Sequence, residues 1–232
     1  MKNWLEIVVG VYLLGMILYG HYRGFIRMAV SMVALIATFA IVRIAMPYVN
    51  EAAIERTPLY EWIKGGIEHA LIPEEYSSEA VDEQAMIEGL GLPKEIQELL
   101  IENNRPDVYQ ALGVQVFTEY LGNYLAGLLV NTVGFVLLFV LVYIAVRLIM
   151  RWLDIMARLP IISGVNKLTG ALLGGAEGLF FLWLLSLLLT AFSQSPWGAM
   201  IIAQIESSRW LTFLYHYNFV SKVVLGIIRG ML

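Results

Sequence analysis

The sequence predicts an all-α integral membrane protein with two transmembrane helical hairpins (four spans), an extracytoplasmic helical insertion between them and a C-terminal amphipathic helix. Three observations predict this class. Of the 232 residues 59% are hydrophobic and 15% charged, against about 45–50% and about 25% in a soluble domain, and the mean hydropathy is +0.72. The apolar residues form blocks long enough to cross a bilayer, which takes about 20 helical residues. The charges are segregated: residues 49–124 carry 15 of the 19 acids and four of the 15 bases.

Residues 1–48 form the first hairpin, with apolar runs at 4–19 and 24–46 separated by "GHYRGFIR". The first run is short and contains Glu6. No small-x-small cleavage site follows it, and "RGF" leads directly into the next run, so a retained hairpin is expected rather than a removed signal peptide. Residues 125–193 form the second hairpin, with runs at 125–149 and 170–192. Its connection holds Arg147, Arg151, Arg158 and Lys167 against the single acid Asp154. Both hairpin turns are basic, which places them in the cytoplasm. The acidic segment and both termini then fall outside.

Residues 49–124 are divided by Pro58, Pro73, Pro93 and Pro106. Proline is favoured in the first turn of a helix, so three or four short helices are expected. Tyr60, Ile63, Ile67 and Leu71 fall on one helical face, as do Ile96, Leu99 and Leu100. The last short helix is expected to run from Asp107 into the third span. In residues 194–232, the steps Arg209, Thr212, His216, Phe219, Lys222, Gly226 and Arg229 make a narrow polar stripe on an apolar helix. That pattern fits an interfacial helix. A fifth span is the alternative, and it would put Lys222 near mid-bilayer.

The chain has no cysteine, and His21, His69 and His216 are far apart in sequence. It lacks GxSxG, GxGxxG and P-loop motifs and any paired-histidine site. No catalytic, cofactor-binding or metal-binding residue is therefore expected, and no cofactor. The acidic exterior argues against nucleic acid as a partner. The expected partners are the lipid bilayer and either further copies of the chain or other membrane proteins.

Gly170, Gly174 and Gly178 recur every four residues, with Gly175 beside them. Such spacing lets a neighbouring backbone approach, and helix packing and a narrow lined path are both open readings. Glu177 lies inside the fourth run, where a carboxylate is costly unless paired. Arg23 and Arg27 are its candidate partners, and Glu6 with Arg43 is a mirrored candidate pair near the opposite boundary.

Two segments together resemble the colicin V production protein family of bacterial inner-membrane proteins. "YRGFIRMAVSMVALIATFAIV" is similar to the family's R-G-F-x-R/K turn and following helix, through Arg23, Gly24, Phe25 and Arg27. "ISGVNKLTGALLGGAEGLFFLWLLSLLL" is similar to its small-residue turn and glycine-spaced last helix, through Gly164, Lys167, Gly170, Gly174 and Gly178. Asn166 replaces the aspartate usual in the family, and Glu177 stands where an arginine commonly precedes the glycine. The resemblance implies a multi-spanning inner-membrane protein linked to toxin production or export and to envelope homeostasis, and with no catalytic motif in the sequence a non-enzymatic role through helix-mediated assembly is expected. The alternative is a small channel or transporter subunit with a glycine-lined, Glu/Arg-gated path.

Overall fold

A computed structural model describes residues 3–55, 59–71, 82–152 and 165–229. The described residues form ten helices and no strand: α1 (Trp4–Glu55), α2 (Leu59–Leu71), α3 (Glu83–Gly89), α4 (Lys94–Asn103), α5 (Pro106–Leu112), α6 (Phe117–Trp152), α7 (Val165–Ala191), α8 (Pro196–Glu206), α9 (Arg209–His216) and α10 (Phe219–Arg229). Among the described residues four stretches are long and apolar enough, by length and composition, to cross a membrane: Trp4–Ala52, Phe117–Met150, Val165–Ala191 and Arg209–Ile228. The fold is an all-α membrane protein.

The first two predicted spans are the halves of α1. Gly24, at φ 76° and ψ 167°, interrupts the helix inside the basic stretch. That region of φ is readily open to glycine because it has no Cβ. The halves then run in opposite senses along α7. Before the bend, Gly20 lies against Gly170 and Gly174, and the Tyr12 hydroxyl donates to the Gly178 carbonyl at 3.2 Å, so this half is antiparallel to α7. After the bend, the Ile26 N–H donates to Asn166 Oδ1 at 3.4 Å and the Ser31 hydroxyl to Glu177 at 2.7 Å, so the second half is parallel to it. Helix α6 runs antiparallel to that second half, with Gly134 beside Met46 and Val49 and Phe135 packed edge-on against Phe39. The bend at Gly24, the end of α6 and the start of α7 therefore lie at the same end of the bundle, and Asp154 and Arg158 of the second basic turn lie outside the described residues.

At the opposite end, α3 to α5 form a cap. Pro106 stands at the start of α5 and Pro93 just ahead of α4, as the proline positions predict. Ile96 and Leu100 are buried in one core with Tyr120, Tyr124, Phe135 and Phe139 of α6. The expected continuity from Asp107 into the third span does not occur. Gly113 adopts left-handed φ 68° and ends α5 by donating to the carbonyls of Tyr109 and Gln110, and α6 starts afresh at Phe117.

The tail also departs from a single helix. Asn218 is buried; its Nδ2 donates to the Trp183 carbonyl and Ser186 Oγ, and its Oδ1 accepts the Ser221 N–H at 2.8 Å. The side chain thus caps α10 and stops α9. The Arg209–Ile228 stretch, long and apolar enough as a whole, is thereby split into helices of 8 and 11 residues that reach about 12 and 16 Å, each alone short of a hydrocarbon core of about 30 Å. Val220, Val224, Leu225 and Ile228 face the main core. Trp197, Trp210, Phe213, Tyr217 and Phe219 are exposed.

Candidate functional site: a glycine seam and a buried Glu–Arg–Tyr cluster

The seam between α1 and α7 is made by absent side chains. A Cβ at Gly170 would stand 2.5 Å from the Gly20 carbonyl oxygen and 2.7 Å from Gly24 Cα. One at Gly174 would collide with the Met16 carbonyl, and one at Gly178 would lie 2.8 Å from Met16 Cβ. Gly175 looks sideways at Ile17 Cγ1, 3.2 Å away. Gly170 and Gly174 form a backbone contact closed by α1, and Gly178 packs on the Met16 side chain. A Cβ at Gly24 would press into the Asn166 amide, so the two quoted motifs, about 140 residues apart, meet at one point.

One turn above the seam's midpoint sits Glu177, the thirteenth of the 27 residues of α7 and 1% exposed. Its Oε1 accepts three hydrogen bonds, from the Ser31 hydroxyl at 2.7 Å, the Tyr143 hydroxyl at 2.7 Å and Arg147 Nη2 at 2.8 Å. Arg147 Nε and Nη2 also reach the Tyr143 oxygen, at 2.9 and 2.7 Å. The guanidinium thus ties α6 to the carboxylate of α7 through both a direct and a relayed contact. Glu177 Oε2 has no hydrogen-bond partner among the described residues. A carboxylate buried in lipid surroundings is stable when paired and hydrogen-bonded, and removal of one partner leaves an uncompensated charge.

The ion-pair partner expected for Glu177 is corrected by this geometry. It is Arg147, neither Arg23 nor Arg27. Ser31 is level with Glu177, whereas Arg27 lies one turn, about 5.4 Å, nearer the bend and is exposed. Arg23 lies over the Tyr19 ring at 5.0 Å. No ion pair joins Glu6 to Arg43 among the described residues. Phe25 and Lys167 are exposed, and Gly164 lies outside the described residues. Sequence reasoning missed Ser31 and Tyr143 as carboxylate partners. A usable signal was Tyr143 and Arg147 four residues apart on one face of α6, pointing two polar groups at the same neighbour.

The match with known families falls on this part of the chain. The family model for the colicin V production protein matches residues 109–218. Residues 109–218 are thus similar to that family. This stretch runs from α5 to the end of α9 and holds Tyr143, Arg147, Glu177 and all the glycines contributed by α7. The matched region takes its remaining contacts, from Gly20, Gly24 and Ser31, out of the preceding helix α1. No curated protein and no solved structure matches the chain.

Proposed function

We infer that this membrane protein is a non-enzymatic component of the bacterial inner membrane that assists colicin-type toxin production or export and envelope homeostasis, with both basic turns in the cytoplasm and the acidic cap outside. The supporting observation is the glycine seam clamped by Glu177 and Arg147. It makes α1, α6 and α7 one rigid unit and occupies the small residues that a lined path would need. The outward faces are left apolar, with Val11, Leu14, Ile36 and Ile44 on α1 and Leu137, Leu141 and Leu148 on α6 all exposed. Lipid and the helices of further membrane proteins cover such faces, so assembly with other membrane components is the role this unit serves.

The test is complementation of a toxin-producing strain that lacks its own copy, with secreted toxin as the readout, alongside flux through liposomes holding the purified chain. Wild type restores toxin output and passes no ions, and Gly174→Leu restores neither output nor a folded protein. Ion flux that Glu177→Gln abolishes would replace this reading with that of a channel.

A further inference from the structure

We propose that the amides of Asn131 on α6 and Asn50 on α1 hold one water molecule between them, an internal site towards the cap end of the bundle. Asn131 is wholly buried, and neither its Oδ1 nor its Nδ2 has a hydrogen-bond partner among the described residues. Asn50 Oδ1 is buried and without a partner in the same way. An unpaired buried polar atom is costly, and in folded proteins such atoms are nearly always served by protein or by ordered water.

Helix geometry brings the two side chains together. Gly134 faces Met46 and Val49 where α6 runs antiparallel to the second half of α1. Asn131 stands three residues before Gly134, and Asn50 four residues after Met46. Each therefore shares the face of that contact, one turn nearer the cap. The side chains a turn away on these faces, Met46 on α1 and Leu128 and Phe135 on α6, are buried in the main core and offer the amides no bond. The contact also has slack. A Cβ on Gly134 would meet Met46 Cε at 3.6 Å and Val49 Cγ1 at 3.8 Å, ordinary distances, whereas one on Gly170 or Gly174 collides. A water takes up roughly 30 Å³, about the bulk of the methyl group this turn could accept.

The three atoms select the occupant. Two carbonyl oxygens accept and one amide nitrogen donates, so a cation meets the donor and an anion meets the acceptors. Water suits both. Its hydrogens go to Asn131 Oδ1 and Asn50 Oδ1, and its oxygen accepts from Asn131 Nδ2, three bonds being typical of a buried water. Asn131 is 0% exposed, which bars larger ligands. The bridge has a mechanical consequence. Glu177 already joins Ser31 of α1 to Tyr143 of α6, and Asn131 lies twelve residues back along α6, about 18 Å away. The water fastens the same two helices at a second depth, where lipid supplies no drive for them to associate.

A crystal structure of the full chain, at a resolution that shows ordered water, tests the site on the wild type. One density peak within about 3.2 Å of both side chains is expected. Two amides bonded directly to each other, or no peak, would overturn the proposal. Unfolding in detergent gives a second test. Asn131→Leu keeps the branched outline and removes every bond, and it lowers the folded-to-unfolded ratio about tenfold, equivalent to about 1.4 kcal/mol. Asn50→Leu acts in the same direction, and the double variant loses no more than the worse single one, because both amides depend on one water. An amide that had no partner would gain from becoming apolar, so a more stable Asn131→Leu overturns the site. So does a loss of about a hundredfold in the double variant, the mark of two independent positions.

Discussion

The membrane seam and the acidic cap solve the same packing problem in opposite ways. Between α1 and α7 the contact is backbone on backbone, made by glycines where any Cβ would collide. In the cap, large side chains do the work: the rings of Tyr109 and Tyr120 stack at 5.0 Å, Tyr120 tilts on Tyr124 at 5.5 Å, and Ile87 and Leu100 are wholly buried. Water drives the second arrangement, because each apolar surface removed from it is favourable by about 25 cal/mol per Å². Lipid supplies no such drive between helices, so close approach and internal polar bonds must hold them. One chain shows that the preferred side-chain size at a contact depends on the solvent outside it.

Substitutions can break or sharpen this contrast. The largest effect is expected at Gly174→Leu, destabilising by more than about 4 kcal/mol, a loss that marks severe overpacking; thermal unfolding in detergent measures it. Gly15→Leu, where nothing lies within 4 Å of an added Cβ, is the matched control and stays within about 0.5 kcal/mol. Next comes Glu177→Leu, which strands Arg147 and costs about 3–5 kcal/mol, most of it recovered in the double variant Glu177→Leu/Arg147→Leu. A double-mutant cycle on unfolding free energies reads the coupling.

Leu100→Ala costs about 2–4 kcal/mol by opening a cavity in the cap, seen as earlier proteolysis of residues 82–116 with the membrane part intact. Tyr120→Phe removes the hydroxyl that donates to the Leu100 carbonyl at 2.7 Å and costs about 1 kcal/mol in the same assay. The smallest effect is alkaline. Burial, and then the Glu83 carboxylate, push the Tyr109 phenol up to about 12 from its ordinary 10. A group whose folded value is raised contributes stability that is whole below pH 10 and is lost as pH climbs towards 12. A proteolysis series over that interval should show the cap loosening, and Tyr109→Phe should make the trend shallower, the rest coming from Tyr120, whose phenol is also buried.

The elements legible in the sequence were those set by local pattern. Apolar runs marked the membrane helices, the RGF stretch marked the reversal at Gly24, and the face containing Ile96 and Leu100 turned inward as its spacing required. What was not legible depended on neighbours. The choice of Arg147 over Arg27 for Glu177 rests on the rotation and depth of three helices, which no single segment encodes. The break at Asn218 needs Trp183 and Ser186 to hold the amide, although asparagine's taste for caps was visible. Gly113 stopped α5 because a glycine can take the left-handed cap that ends a helix, and the hydrophobic pattern on both sides hid the stop.

The bend at Gly24 also orders events during synthesis. Its partner Asn166 leaves the ribosome about 140 residues later, on the order of ten seconds at the usual rate of elongation. For that interval the groove of α1 that faces the future α7 lacks its partner, and insertion of α7 is the step that closes it.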